Sequence, residues 1–254
     1  MAGDNLMRLL LINPNITAAM TESMAAEARR FASPSTEIVA VTGEFGTQYV
    51  ENRAEAAIAS HAVLDAVAKY TDGCDAAIIS AFGDPGLAAA REFADIPVLG
   101  IEESAILTAW MLGRRYSIIC LTPRLRTWYI DCAQEHGLGG RLASVRALNA
   151  PIADIMRAKE QYRDKLLAEC MQAIEQDYAE VIIFGGGPIA GLAREAADAI
   201  PVPTLDGVSC AVRLAEALVG LKPRPAKRGS FARPPAKPAK GLSPELMRRI
   251  TGES

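Results

Sequence analysis

Ala76-Ala77-Ile78-Ile79-Ser80-Ala81-Phe82-Gly83-Asp84-Pro85-Gly86-Leu87 is a short apolar run that stops at a serine and turns through glycine and proline. A run of that length without alternation suits a strand buried on both faces of a parallel sheet, and the Gly/Pro punctuation then starts a helix. The same succession returns as Val181-Ile182-Ile183-Phe184-Gly185-Gly186-Gly187-Pro188-Ile189-Ala190-Gly191-Leu192. Each block leads to Ile-Pro-Val, at Ile96-Pro97-Val98 and at Ile200-Pro201-Val202. Upstream, Ile12-Asn13-Pro14-Asn15 has a counterpart in Leu121-Thr122-Pro123-Arg124. Three matches in one order predict an α/β chain of two pseudo-symmetric, Rossmann-like parallel-sheet lobes whose strand-end loops face a shared cleft.

Working outward, apolar runs at 8–12, 37–41, 98–100, 116–120, 144–147 and 203–205 supply further strands, and helical-period segments alternate with them. Asp84-Pro85 reads as an N-cap followed by proline at the first helical position, and Gly187-Pro188 repeats the pattern. The division expected is 1–104 with 205–221 as the first lobe, 105–204 as the second, and 222–254 as a basic, proline-rich arm.

The net charge of −3 averages two unlike parts. Residues 222–254 hold nine Lys or Arg against two Asp or Glu, a net +7, which leaves −10 on the rest. An arm with five prolines and no acid between 222 and 240 cannot build a core. It is expected to dock on acidic surface, on a neighbouring subunit of a homo-oligomer, rather than on nucleic acid, since the body is acidic and only Phe231 adds an aromatic. No apolar run reaches the roughly 20 residues a bilayer span needs, and the N-terminus lacks a signal-like cleavage site, so a cytoplasmic location without membrane partners is expected. Five scattered cysteines without a C-x-x-C pair and only two histidines suggest neither a disulfide framework nor a metal centre.

Three loops carry candidate chemistry. Asn13, Pro14 and Asn15 follow the first strand at a helix start, where anionic oxygen is favoured, though capping explains the asparagines equally well. Ser80, Ala81, Phe82 and Gly83 follow the third strand. Gly185, Gly186, Gly187 and Pro188 follow the seventh, and successive glycines let backbone N–H groups reach an oxyanion. Gly185, Gly187 and Ala190, with Asp206 further on, also approximate a dinucleotide fingerprint. Pro188 inside the fingerprint, and a twin loop without it, argue against a nucleotide.

Ile12-Asn13-Pro14-Asn15, Phe82-Gly83-Asp84-Pro85-Gly86-Leu87 with Arg91-Glu92, Pro97-Val98-Leu99-Gly100-Ile101, Gly185 with Ala190-Gly191-Leu192, and Asp206-Gly207-Val208-Ser209 together resemble the Asp/Glu/hydantoin racemase superfamily, nearest its hydantoin and allantoin racemase branch. The resemblance runs from about Leu9 to Leu218. It implies two pseudo-symmetric lobes with the active site between them, no cofactor, a small-molecule substrate and an oligomer. It also implies two catalytic thiols on opposite faces of the substrate's acidic carbon, at positions held here by Ala81 and Gly186. Neither can move a proton, and Ser80 next door is a far weaker base than a thiolate.

The expectation drawn from that loss is chemistry other than thiol-based proton transfer. A hydantoin-like ring, a thio analogue or a small carboxylate would undergo hydrolysis or elimination, with a carboxylate activating water and the glycine loop holding the oxyanion. Glu51, Glu103 and Asp206 are the candidate catalytic carboxylates, with Glu102 as a further one. Thr122, Arg124 and Arg53 are candidate substrate contacts. The alternatives are a hydantoin, allantoin or amino-acid racemase using other acid and base groups, and a non-catalytic ligand sensor.

Overall fold

A computed structural model describes residues 6–252. Two four-stranded parallel sheets form, as the duplicated sequence predicts. The first has β1 (Met7–Asn13), β2 (Thr36–Thr42), β3 (Ala76–Ile79) and β4 (Val98–Gly100) in the order β2-β1-β3-β4. The second has β5 (Tyr116–Cys120), β6 (Leu142–Ala147), β7 (Val181–Phe184) and β8 (Thr204–Asp206) in the order β6-β5-β7-β8. Around the first lie α1 (Ala18–Phe31), α2 (Arg53–Tyr70), α3 (Leu87–Phe93) and α4 (Ile101–Leu112). Around the second lie α5 (Pro123–Glu135), α6 (Ala158–Gln161), α7 (Arg163–Asp177) and α8 (Leu192–Glu195). The chain then enters α9 (Gly207–Leu221), which packs on α4, α1 and the first sheet, and ends in α10 (Pro244–Thr251). Leu205 and Asp206 pair with Ile183 and Phe184, so they belong to the second sheet and not, as expected, to the first lobe.

Alternation along the strands explains how the lobes join. Leu9, Leu11 and Ile78 point to one side of the first sheet and meet Ile118, Val145 and Ile183 of the second in one continuous core. Their neighbours Leu10, Ile12, Ala77 and Ile79 point the other way and pack with Val63 and Val67 of α2. Ile119, Ile182 and Phe184 do the same beneath α7 and α8. The lobes are therefore fused through apolar side chains, and only the loops at the strand ends remain to form the cleft.

Two local expectations are corrected. Asp84-Pro85 does not open α3, which starts at Leu87 after Gly86 in the left-handed region (φ 77°). Gly187-Pro188 begins a single 3-10 turn, Gly187–Ile189, before α8. The arm lies on its own first lobe, which presents acids within range. Arg233 pairs with Asp95 at 2.7 Å and Arg249 with Asp72 at 3.3 Å, while Leu246 of α10 is buried beside α2. No helix among the described residues is long and apolar enough to cross a membrane.

Candidate active site

Parallel strands end on one edge of each sheet, and the loops leaving β1, β2, β3 and β7 meet there. They enclose a cavity of about 20 Å³, room for a water molecule and not for a ring. Asn15, Met20, Tyr49 and Val50 line it from the first lobe together with Ser80, Ala81 and Phe82. Tyr129, Gly186 and Gly187 close it from the second. Larger hollows of about 300 and 450 Å³ lie under the arm, walled by the turn that enters β4 and by α10, away from this edge.

Of the residues expected at the site, the cavity gathers Asn15, Ser80, Ala81, Phe82, Gly186 and Gly187. Asn13 stands behind it, buried, its amide donating to Asn15 Oδ1 (3.0 Å) and Thr21 Oγ1 (2.9 Å). Asn15 Oδ1 in turn accepts from Thr17 N–H at 2.9 Å, so these asparagines shape the turn into α1. Pro14 backs the turn, and a side chain at Gly43 would meet its carbonyl at 3.0 Å. Gly83 (φ 99°) lies flat against Trp128, and a Cβ there would come within 2.6 Å of the indole. Gly185 touches Ile118, Phe82 and Tyr129. Pro188 is buried outside the cavity lining.

None of the candidate carboxylates lines this cavity. Glu51 accepts from Thr122 Oγ1 at 3.2 Å and lies 3.8 Å from Arg124 Nε, a clasp between the loop after β2 and the loop after β5. Arg53 pairs with Asp131 of α5 and adds a second cross-lobe tie. Glu103 is held by both guanidinium nitrogens of Arg91, at 3.1 and 2.5 Å. Asp206 caps α9 through Ser209 N–H at 2.9 Å and borders only a smaller adjoining hollow; burial raises its carboxyl. Carboxylate-assisted hydrolysis or elimination therefore has no placed base, and that expectation is withdrawn.

The thiols do not substitute. All five cysteines are buried and free. Burial pushes Cys170 up to about 12 and Cys210, within the first turns of α9, up to about 11, so the helix start does not yield a thiolate. Cys120 faces backbone carbonyls of Thr122 and Arg146, and burial raises it as well.

Sequence reasoning missed the two tyrosines. Tyr49 Oη is buried without a hydrogen-bond partner and lies 4.0 Å from where a side chain at Gly186 would begin. Burial drives its phenol far up, so it stays protonated and is a donor in need of an acceptor. Tyr129 stacks on Phe82 with centroids 4.7 Å apart and is fully buried. The only sequence signal was the position of Tyr49 just before Glu51. Gly186 has φ 129° and no atom nearer than 3.8 Å to a Cβ built on it, so the second lobe leaves open space opposite Ala81.

The sequence profile of the Asp/Glu/Hydantoin racemase family matches residues 9–215. A hydantoin racemase of Pseudomonas sp. (strain NS671) is 34% identical over 246 residues, 96% of this chain and 99% of the relative. Among solved structures, allantoin racemase from Pseudomonas fluorescens superposes with a TM-score of 0.89 at 37% identity, over 92% of this chain and 100% of that one. Allantoin racemase from Klebsiella pneumoniae gives 0.90 at 36% identity, over 94% and 98%. With the profile spanning most of the chain and both lobes reproduced, this protein belongs to the Asp/Glu/hydantoin racemase family.

Proposed function

We propose that the chain is a racemase of a five-membered cyclic ureide, a hydantoin or allantoin, acting at the ring CH that lies next to a carbonyl. The observation that carries the reading is the end-to-end similarity, above one third identity, to hydantoin and allantoin racemases. The ring enters between the loop after β3 and the loop after β7 once these part, since about 20 Å³ does not admit it. Inversion needs a proton to leave one face of the carbon and arrive at the other. Tyr49 Oη, protonated and unpartnered, donates to the carbonyl oxygen as it becomes an enolate, which lowers the barrier to losing that proton. The faces bounded by Ala81 and Gly186 have no thiol, so with the loops parted solvent water takes the ring proton, water at either face of the planar enolate returns one, and Tyr49 recovers its own proton as the carbonyl re-forms. Without positioned acid and base, turnover is slower than thiol-based catalysis by roughly 10²-fold or more.

Enantiopure 5-substituted hydantoin and allantoin, followed by chiral chromatography, test this. Loss of enantiomeric excess faster than in buffer, and diminished in Tyr49→Phe, is expected. A ring-opened product would overturn the assignment. A second reading, a ligand sensor, is favoured by Ala81 and Gly186 facing the cavity; saturable binding of the same compounds with no racemisation would establish it.

A further inference from the structure

Behind the cavity wall lies a group of ionisable side chains that the reaction above does not use. Asp84 follows that wall directly, its backbone N–H donating to Ala81 carbonyl at 3.0 Å. It adopts φ 45°, a left-handed conformation unusual for a residue with a side chain. The carboxylate is buried and accepts two N–H groups from the first turn of α4, Glu102 at 2.9 Å and Glu103 at 2.7 Å. A side chain at Gly100 would fall 2.1 Å from Asp84 Cγ, so the close approach requires glycine there. Glu102 is wholly buried, and neither of its carboxyl oxygens has a hydrogen-bond partner. Strain at 84 and an unpartnered carboxyl at 102 persist only because the surroundings hold them.

We propose that Asp84 and Glu102 are positioning residues: together they hold one proton, and that proton fixes the Ala81–Phe82 wall of the cleft against α4. Asp84 as carboxylate makes the two N–H bonds, while Glu102 remains neutral beside it. Loss of the Glu102 proton places two like charges in a dry site and pushes the wall away from the helix. The other groups facing the pair are Glu103 and Arg91, which neutralise each other, and His136, Glu135, Cys132, Tyr116 and Tyr129. His136 Nε2 is 3.6 Å from Asp84 Oδ2, and burial lowers its basicity, so it is neutral when the pair titrates. Burial raises both carboxyls, and the Asp84 charge raises Glu102 further.

Trp128 reads the wall directly, because Gly83 rests on its ring. The chain has two tryptophans, so Trp110→Phe leaves Trp128 as the sole reporter. Fluorescence of this variant between pH 5 and 9, with fold monitored by circular dichroism, is expected to show a one-proton transition. Glu102→Gln should remove it, since the amide has no proton to lose. His136→Gln should leave it in place. Asp84→Asn should move it down, since the like charge beside Glu102 is gone, and Glu102→Gln keeps the test decisive if that variant does not fold. A flat profile, or a transition that survives Glu102→Gln and vanishes in His136→Gln, would overturn the proposal. The proposal rests on the cleft being the functional site, yet the fluorescence needs no ligand, so failure of the racemase reading is distinguishable from failure here. If turnover is present, KM rather than kcat follows the same midpoint.

Discussion

The loop at residues 80–86 and the loop at 184–191 leave equivalent strands of the two sheets and close on one cavity from opposite sides. The first is braced: Gly83 is pressed on Trp128, Asp84 is bonded to α4, and a Cβ at Gly86 would fall 3.0 Å from the Ser60 backbone. At its centre the second is open, with Gly186 facing space. Where the loop continues, a Cβ at Gly187 would fall 2.9 Å from Met24 Sδ and one at Gly191 2.8 Å from Glu27 Oε2. Duplication thus preserved the strand and the turn while packing diverged. One wall is a fixed reference, and the other has a point at which a ligand or a water fits.

The comparison can be broken most sharply by restoring what the family resemblance implies. Ala81→Cys with Gly186→Cys should raise ring-CH exchange by about 10²-fold or more, each thiol meeting one face. Left-handed backbone at 186 strains a cysteine by roughly 1–2 kcal/mol, which lowers stability without closing the cavity. An unchanged rate would mean that these positions do not flank the reacting carbon. Next in size, Gly83→Ala should cost about 2–3 kcal/mol in denaturant titration, from a Cβ inside the Trp128 ring plus a strained φ. Gly186→Ala should cost about 1 kcal/mol, from φ alone. Equal costs would erase the distinction between braced and open loops.

A smaller effect concerns pH. Glu102 is held well above the ordinary carboxylate value, so the folded chain keeps a proton that the unfolded chain releases. Its contribution to stability is full below about pH 4 and declines as pH rises. Glu102→Gln should therefore have a Tm a few degrees above wild type at pH 8, with the gap narrowing on acidification. The smallest change is expected for Glu51→Gln. It weakens a clasp outside the cavity, costs less than about 1 kcal/mol, and leaves most of the activity in a steady-state assay. Loss of all activity would return Glu51 to a chemical role.

What the sequence made legible follows from where each interaction lives. The central strands announce themselves because a strand buried on both faces must be apolar throughout, as in 76–79 and 181–184, whereas the edge strands β2 and β6 are mostly half-buried. Asp84 was legible as a cap but not as to which helix it caps: Asp-Pro suits a local start, whereas its partners are 18 and 19 residues away. Asn15, Ser80, Ala81, Phe82, Gly186 and Gly187 could be placed because strand-end loops converge in any parallel fold. Tyr49 and Tyr129 could not, since one sits in an irregular loop and the other on a helix face whose orientation only the joint core decides. Glu51, Glu103 and Asp206 drew attention as acids near helix starts, and their partners Thr122, Arg91 and Ser209 account for them without catalysis.

The most direct test of inversion without thiols is proton NMR of an enantiopure 5-substituted hydantoin in deuterated buffer, run beside polarimetry. The protein should be used before and after exhaustive treatment with a cysteine-alkylating reagent. Expected is loss of the ring C–H signal together with optical rotation, faster than buffer and unaffected by alkylation, because all five cysteines are buried and none lines the cavity. Exchange no faster than buffer, or exchange abolished by alkylation while the fold persists, would contradict it.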